Sequence, residues 1–138
     1  MRKINEIILH CSATRAGQNF KAADIDRWHR AKGWDGCGYH FVIDLDGRIE
    51  LGRSITKIGA HTSGKNGTSI GVCYVGGLDD LTGRPADTRT TAQCESLEEL
   101  LTVLHRMFPE ATLHGHKEFA NKACPCFDVG EYAHIFAE

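Results

Sequence analysis

Apolar residues along the chain fall into two kinds of pattern, short continuous runs and one long helical stripe. Ile7-Ile8-Leu9 is a continuous run inside Glu6–Cys11, the signature of a strand covered on both faces. Ser69 to Val75 is a second run of this kind, closed by Gly76-Gly77. Between them, Ile25 and Trp28 fall at helical spacing and predict a helix over Ala22 to Lys32, with Gly33 as its stop. Tyr39 to Ile43 alternates as a strand. Asp46-Gly47 supplies a tight turn, and Arg48 to Gly52 returns as the second arm of a hairpin. Strict alternation places Tyr39, Phe41 and Ile43 on one face, with His40 and Val42 on the other.

The remaining elements follow from punctuation. Gly59 to Thr68 carries three glycines among small polar residues and reads as a surface loop, and Leu78 to Arg89 reads as a polar loop. Thr90 with Gln93 three residues on predicts a capping box. From there Cys94, Leu97, Leu100, Leu101, Leu104 and Phe108 form one stripe at spacings of 3 and 4, and Pro109 ends it. A strand over Thr112 to Gly115 and a last short helix over Val129 to Phe136 complete the pattern. The expected fold is α/β: a central mixed β-sheet of about five or six strands flanked by helices on both faces, in a single domain spanning 1–138, with a cleft on one rim.

Composition narrows the function. With 138 residues, 41% hydrophobic and 25% charged, the chain has enough apolar surface for one packed core. No window approaches the ~20 apolar residues of a membrane span. The net charge of −2 offers no basic field for nucleic acid or an anionic membrane. The start, Met1-Arg2-Lys3-Ile4-Asn5-Glu6, has no apolar stretch of signal-peptide length, which predicts synthesis in the cytoplasm without an export signal. Six cysteines are too few for a small disulfide scaffold and read as reduced thiols. Eight histidines are many for this length, and excess His with unpaired Cys points to zinc.

The densest polar cluster runs from His114 through His116 and Lys122 to Cys124 and Cys126. Its eight-residue gap between His116 and Cys124 matches no zinc-finger spacing, and no Cys-x-x-Cys knuckle occurs anywhere. His116 and Cys124 are therefore candidate ligands of a zinc site that is not a finger. Cys126 lies on the same side as Cys124 if the segment is extended.

The order of short motifs across the chain resembles a known family. Ile8-Leu9-His10-Cys11-Ser12-Ala13-Thr14, Trp28-His29, Gly33-Trp34, Gly38-Tyr39-His40-Phe41, Gly52-Arg53, Ser69-Ile70-Gly71-Val72-Cys73, Val75-Gly76-Gly77, Thr91-Ala92-Gln93 and Lys122-Ala123-Cys124-Pro125 are similar to the zinc-dependent N-acetylmuramoyl-L-alanine amidases, relatives of the peptidoglycan recognition proteins. The resemblance implies one Zn²⁺ per chain held by His10, His116 and Cys124. It implies catalytic assistance from Tyr39 and Lys122, places the histidine matching His61 in the glycine-rich loop near the metal, in contact with substrate or with a metal ligand, and gives Asn66 of the same loop as a substrate contact.

The implied reaction is hydrolysis of the amide between N-acetylmuramic acid and L-alanine of peptidoglycan, in the manner of a phage or prophage endolysin. That chemistry needs a water made nucleophilic at neutral pH and donors for a developing oxyanion, which a metal, a cation and a phenol supply. The implied partner is peptidoglycan or a muropeptide met by a monomer, with no nucleic acid and no membrane insertion. The implied route to the wall is release through a separate holin-type pore. The alternatives are a peptidoglycan-binding module that no longer cuts and a polymerase-regulating lysozyme homologue. Cys11, next to His10 on a strand, is expected on the opposite face in the core, and His40 and His114 as packed or hydrogen-bonded residues.

Overall fold

In a computed structural model of the protein, residues 1–137 are described. Seven strands and two α-helices alternate: β1 (Glu6–Cys11), β2 (Thr14–Arg15), α1 (Ala22–Ala31), β3 (Phe41–Ile43), β4 (Ile49–Leu51), β5 (Ser69–Tyr74), β6 (Gly77–Leu78), α2 (Thr91–Met107) and β7 (Thr112–Gly115). A 3₁₀ helix over Val129–Phe136 follows. Five strands form a mixed sheet in the order β4-β3-β5-β1-β7. β1 lies at its centre-right, parallel to β5 on one side and to β7 on the other. β4 is the antiparallel edge, paired Phe41↔Leu51 to Ile43↔Ile49.

The sheet divides two cores by the alternation of side chains along its strands. On one face Ile7, Leu9, Val72 and Tyr74 pack under Leu97, Leu101 and Leu104 of α2 and under Tyr132 of the 3₁₀ helix. On the other, Val42, Cys73 and Val75 pack under Ala22 and Ile25 of α1. Helices cover both faces, as the apolar runs require. Thr90 caps α2 as a full capping box with Gln93. The Gln93 side chain is wholly buried and donates from Nε2 to the carbonyls of Ile43 and Val75, tying the helix start to the ends of β3 and β5.

Three local expectations are corrected. Tyr39 stands before β3 rather than in it, so it escapes the strand's alternation and packs with Val42 and Cys37 instead of with Phe41 and Ile43. The loop predicted from Leu78 onward starts as a strand: β6 pairs in parallel with β2 in a separate two-stranded ribbon. The segment around Cys124 and Cys126 is not extended, because Cys126 takes a left-handed φ of 70°.

Candidate metal centre and active site

β1 positions the first site residue. Ile7, Leu9 and Cys11 point into the α2-side core, so His10 points to the α1 side, at the register of Cys73. There it is 1% exposed, on the face of the sheet near the C-terminal end of β1. β7 is parallel to β1, with Leu9 opposite Gly115. His116, the next residue, therefore arrives beside His10, and the two rings stand 4.5 Å apart.

Cys124 reaches the same point by a folded-back loop. The Lys117 amide donates to the Cys124 carbonyl at 2.8 Å, which closes the gap between the two ligand segments. Gly115 makes room for this closure, since a Cβ there would meet Pro125 Cδ at 2.9 Å. From the core, the Tyr74 hydroxyl donates to the Pro125 carbonyl at 2.7 Å. The Cys11 amide donates to Cys124 Sγ at 3.1 Å and orients the sulfur.

One ligand atom each from His10, His116 and Cys124 lies within 4.8 Å of the others. Tetrahedral Zn–N and Zn–S bonds of ~2.0–2.3 Å set ligand atoms ~3.3–3.8 Å apart, so small side-chain rotations close this trio on one ion. Two imidazoles and a thiol are a zinc donor set, and the residues fit the group. Burial keeps both rings neutral, the state a ligand needs: His10 is held well below the usual histidine range by desolvation and by the neighbouring His61, His116 and Lys122, and His116 is lowered by desolvation and Lys122. Among the described residues no fourth His, Cys, Asp or Glu joins the trio. Cys126 turns away, with its Sγ 3.8 Å from that of Cys11, and burial pushes its thiol up to about 12. Three protein ligands are the pattern of sites that leave a position for substrate or water.

A groove of about 470 Å³ reaches the trio at His116 and is lined also by Trp34, His61, Asn66, Phe119 and Lys122. Lys122 thus enters the same space as His116. Tyr39 is brought to His10, ring to ring at 5.1 Å, but sits beneath the groove, between His10 and His29. Desolvation raises its hydroxyl well above the usual phenol range, so it remains a hydrogen-bond donor. Asn66 lines the groove but spends its Oδ1 on the loop itself, accepting from the amides of His61 and Thr62, both at 2.9 Å.

The other histidines take structural partners. His40 Nδ1 accepts from the Gly71 amide, and its Nε2 reaches the Lys57 carbonyl at 2.9 Å. His114 pairs with Glu118 at 2.9 Å, apart from the trio. His29 Nδ1 accepts from the Gly38 amide, which fixes the turn that delivers Tyr39. His61, the histidine of the glycine-rich loop, touches His10 directly, with His10 Nε2 and His61 Nδ1 2.9 Å apart.

Comparison with known proteins agrees with this architecture. Residues 1–127 match the family described as N-acetylmuramoyl-L-alanine amidase. The chain is similar to an endolysin of Escherichia phage T7, with 46% identity over 89% of this chain and 81% of the relative, and to an endolysin of Klebsiella phage KP32, with 42% identity over 93% and 84%. In structure it is similar to the N-acetylmuramoyl-L-alanine amidase LysC from Clostridium intestinale, with a TM-score of 0.81 and 29% identity over 96% of this chain and 85% of that one. The chain belongs to the N-acetylmuramoyl-L-alanine amidase family.

Proposed function

We propose that this protein hydrolyses the amide bond between N-acetylmuramic acid and L-alanine of peptidoglycan as a zinc amidase, and that it does so as an endolysin. The observation that carries the reading is the convergence of His10, His116 and Cys124, with His116 opening onto a groove of about 470 Å³. Zinc held by these three supplies Lewis acidity toward the amide carbonyl and brings a nucleophilic water within reach of neutral pH. The chain's own residues do the rest. Lys122 carries its ammonium into the groove beside His116, where it stabilises the oxyanion that develops on the lactyl carbonyl. Tyr39, kept protonated by burial beside His10, donates to the same charge; as its hydroxyl gives a proton to the leaving L-alanine amine it takes one from the attacking water, so it ends the reaction protonated. Trp34 and Phe119 offer apolar walls to glycan and stem.

A binding module without turnover is the second reading, and the complete trio speaks for cleavage. No helix among the described residues is long and apolar enough to cross a membrane. As in the sequence reading, the expected form is a monomer that reaches the wall through a separate pore. Incubation of purified peptidoglycan with the zinc-loaded protein tests the function: intact stem peptides with a free L-alanine amine are expected, and release that persists with Cys124→Ser counts against the trio.

A further inference from the structure

Although it also lines the groove, the His61 side chain is held by more contacts than a substrate contact on a surface loop requires. Its Nδ1 lies 2.9 Å from His10 Nε2, with the Thr62 hydroxyl 3.0 Å from the first and 3.3 Å from the second. Its Nε2 lies 3.3 Å from Oγ of the wholly buried Ser69. The ring fills a slot left by two glycines. A Cβ on Gly71 of β5 would stand 2.7 Å from both Cγ and Cδ2 of His61, and one on Gly59 would stand 2.7 Å from Cδ2. Asn66 Oδ1 holds the backbone on both sides of the ring's attachment.

We infer that His61 is a positioning residue for the metal centre: it fixes the tautomer and the ring plane of His10. The inference rests on the zinc reading above. Because His10 Nε2 faces His61 and Thr62, its Nδ1 is the nitrogen left for the metal. A ring that binds metal through Nδ1 carries its proton on Nε2 and must donate it. The acceptor is the His61 Nδ1 lone pair. His61 then carries its own proton on Nε2 and donates to Ser69 Oγ, so one chain of hydrogen bonds runs from the ligand to the start of β5, the central strand of the sheet. The glycine slot prevents the His61 ring from swinging out of that chain. This assigns to the glycine-rich loop and to Gly71 a task on the metal side of the site, in addition to lining the groove.

The test is zinc affinity, measured by competition with a chromophoric chelator, together with the visible spectrum of the Co²⁺-loaded protein. His61→Ala is expected to weaken zinc binding ~10–100-fold and to alter the Co²⁺ bands. His61→Asn, whose Oδ1 takes the place of Nδ1 as acceptor, is expected to restore affinity to within ~3-fold of the original chain. Gly71→Ala is expected to weaken zinc in the original chain and to cost nothing further in the His61→Ala background, where no ring remains to be displaced. Unfolding of each metal-free variant by urea separates a failure to fold from a failure to bind. If the original chain binds zinc and His61→Ala binds it equally well, with the effect confined to KM, the inference is overturned and His61 is a substrate contact. An original chain that binds no zinc instead overturns the reading on which the inference rests. Equal losses from Gly71→Ala in both backgrounds overturn the slot.

Discussion

Zinc should stabilise this protein through Cys124 and not through Cys126, although the two thiols are two residues apart. Cys124 Sγ shares a ligand cluster with His10 and His116, whereas Cys126 Sγ faces Cys11. At free zinc about 100-fold above Kd, linkage adds ~2.7 kcal/mol to the folded state. For a domain of this size that raises Tm by roughly 10 °C. Four-ligand zinc sites bind with about 10–16 kcal/mol, or roughly 3 kcal/mol per ligand, so removing one thiolate weakens binding ~10²–10³-fold. At the same zinc concentration the stabilisation in Cys124→Ser then falls below about 0.5 kcal/mol, and the Tm rise to under ~2 °C. The serine is close in size and its oxygen still accepts from the Cys11 amide, so the metal-free fold is expected to survive. Cys126→Ser is expected to keep the full rise. Differential scanning calorimetry with and without zinc reads both variants. A rise of about 10 °C retained in Cys124→Ser, or lost in Cys126→Ser, refutes the assignment.

Three further outcomes are expected. Tyr39→Phe and Lys122→Ala should each lower kcat ~10²–10³-fold while zinc affinity stays unchanged, because each removes a donor to the transition state and not a ligand; comparable turnover in either variant removes that residue from the chemistry. Gln93→Leu should destabilise the fold by about 2 kcal/mol in urea titration, since it takes the Gln93 donor from the buried Val75 carbonyl, leaves the Ile43 carbonyl with the Val75 amide alone, and leaves the Thr90 amide without the Oε1 that accepts from it. The metal-free protein should lose stability as pH falls below about 6.5. Desolvation holds His40 at about 4 and His61 at about 3, so above 6.5 they are neutral in both states, and below it the unfolded chain takes up protons that the fold refuses. The slope is up to ~1.4 kcal/mol per pH unit for each ring until its folded value is reached, and a stability flat from pH 7 to 5 contradicts it.

The scaffold was legible in the sequence wherever a pattern is repeated over several residues. Ile7-Ile8-Leu9 and Ser69 to Tyr74 are continuous runs buried on both faces of the sheet, the Leu97–Leu104 stripe repeats one face of a helix, and the Thr90/Gln93 box fixes where α2 begins. Two-residue strands such as β2 and β6 have no period to read. The strand starting at Tyr39 failed for a related reason. Phe41 to Ile43 is only three residues long, and the Gly38 amide is committed to His29, which turns the chain before the alternation begins. Candidate site residues were legible as types and by resemblance to a family, and the structure brings His10, His116 and Cys124 together. The directions of their neighbours were not legible. The side to which Cys126 points follows from one positive φ, and the hold on His61 comes from Gly71, ten residues away on another element.

The central claim is that a zinc held by His10, His116 and Cys124 enables this chain to cut the muramoyl–alanine bond. Mass spectrometry of purified peptidoglycan, digested by zinc-loaded protein with and without a chelator, tests it most directly. The account predicts intact stem peptides bearing a free L-alanine amine, abolished by the chelator and restored by added zinc. Products cut between sugars or within the stem, or release indifferent to the chelator, contradict it.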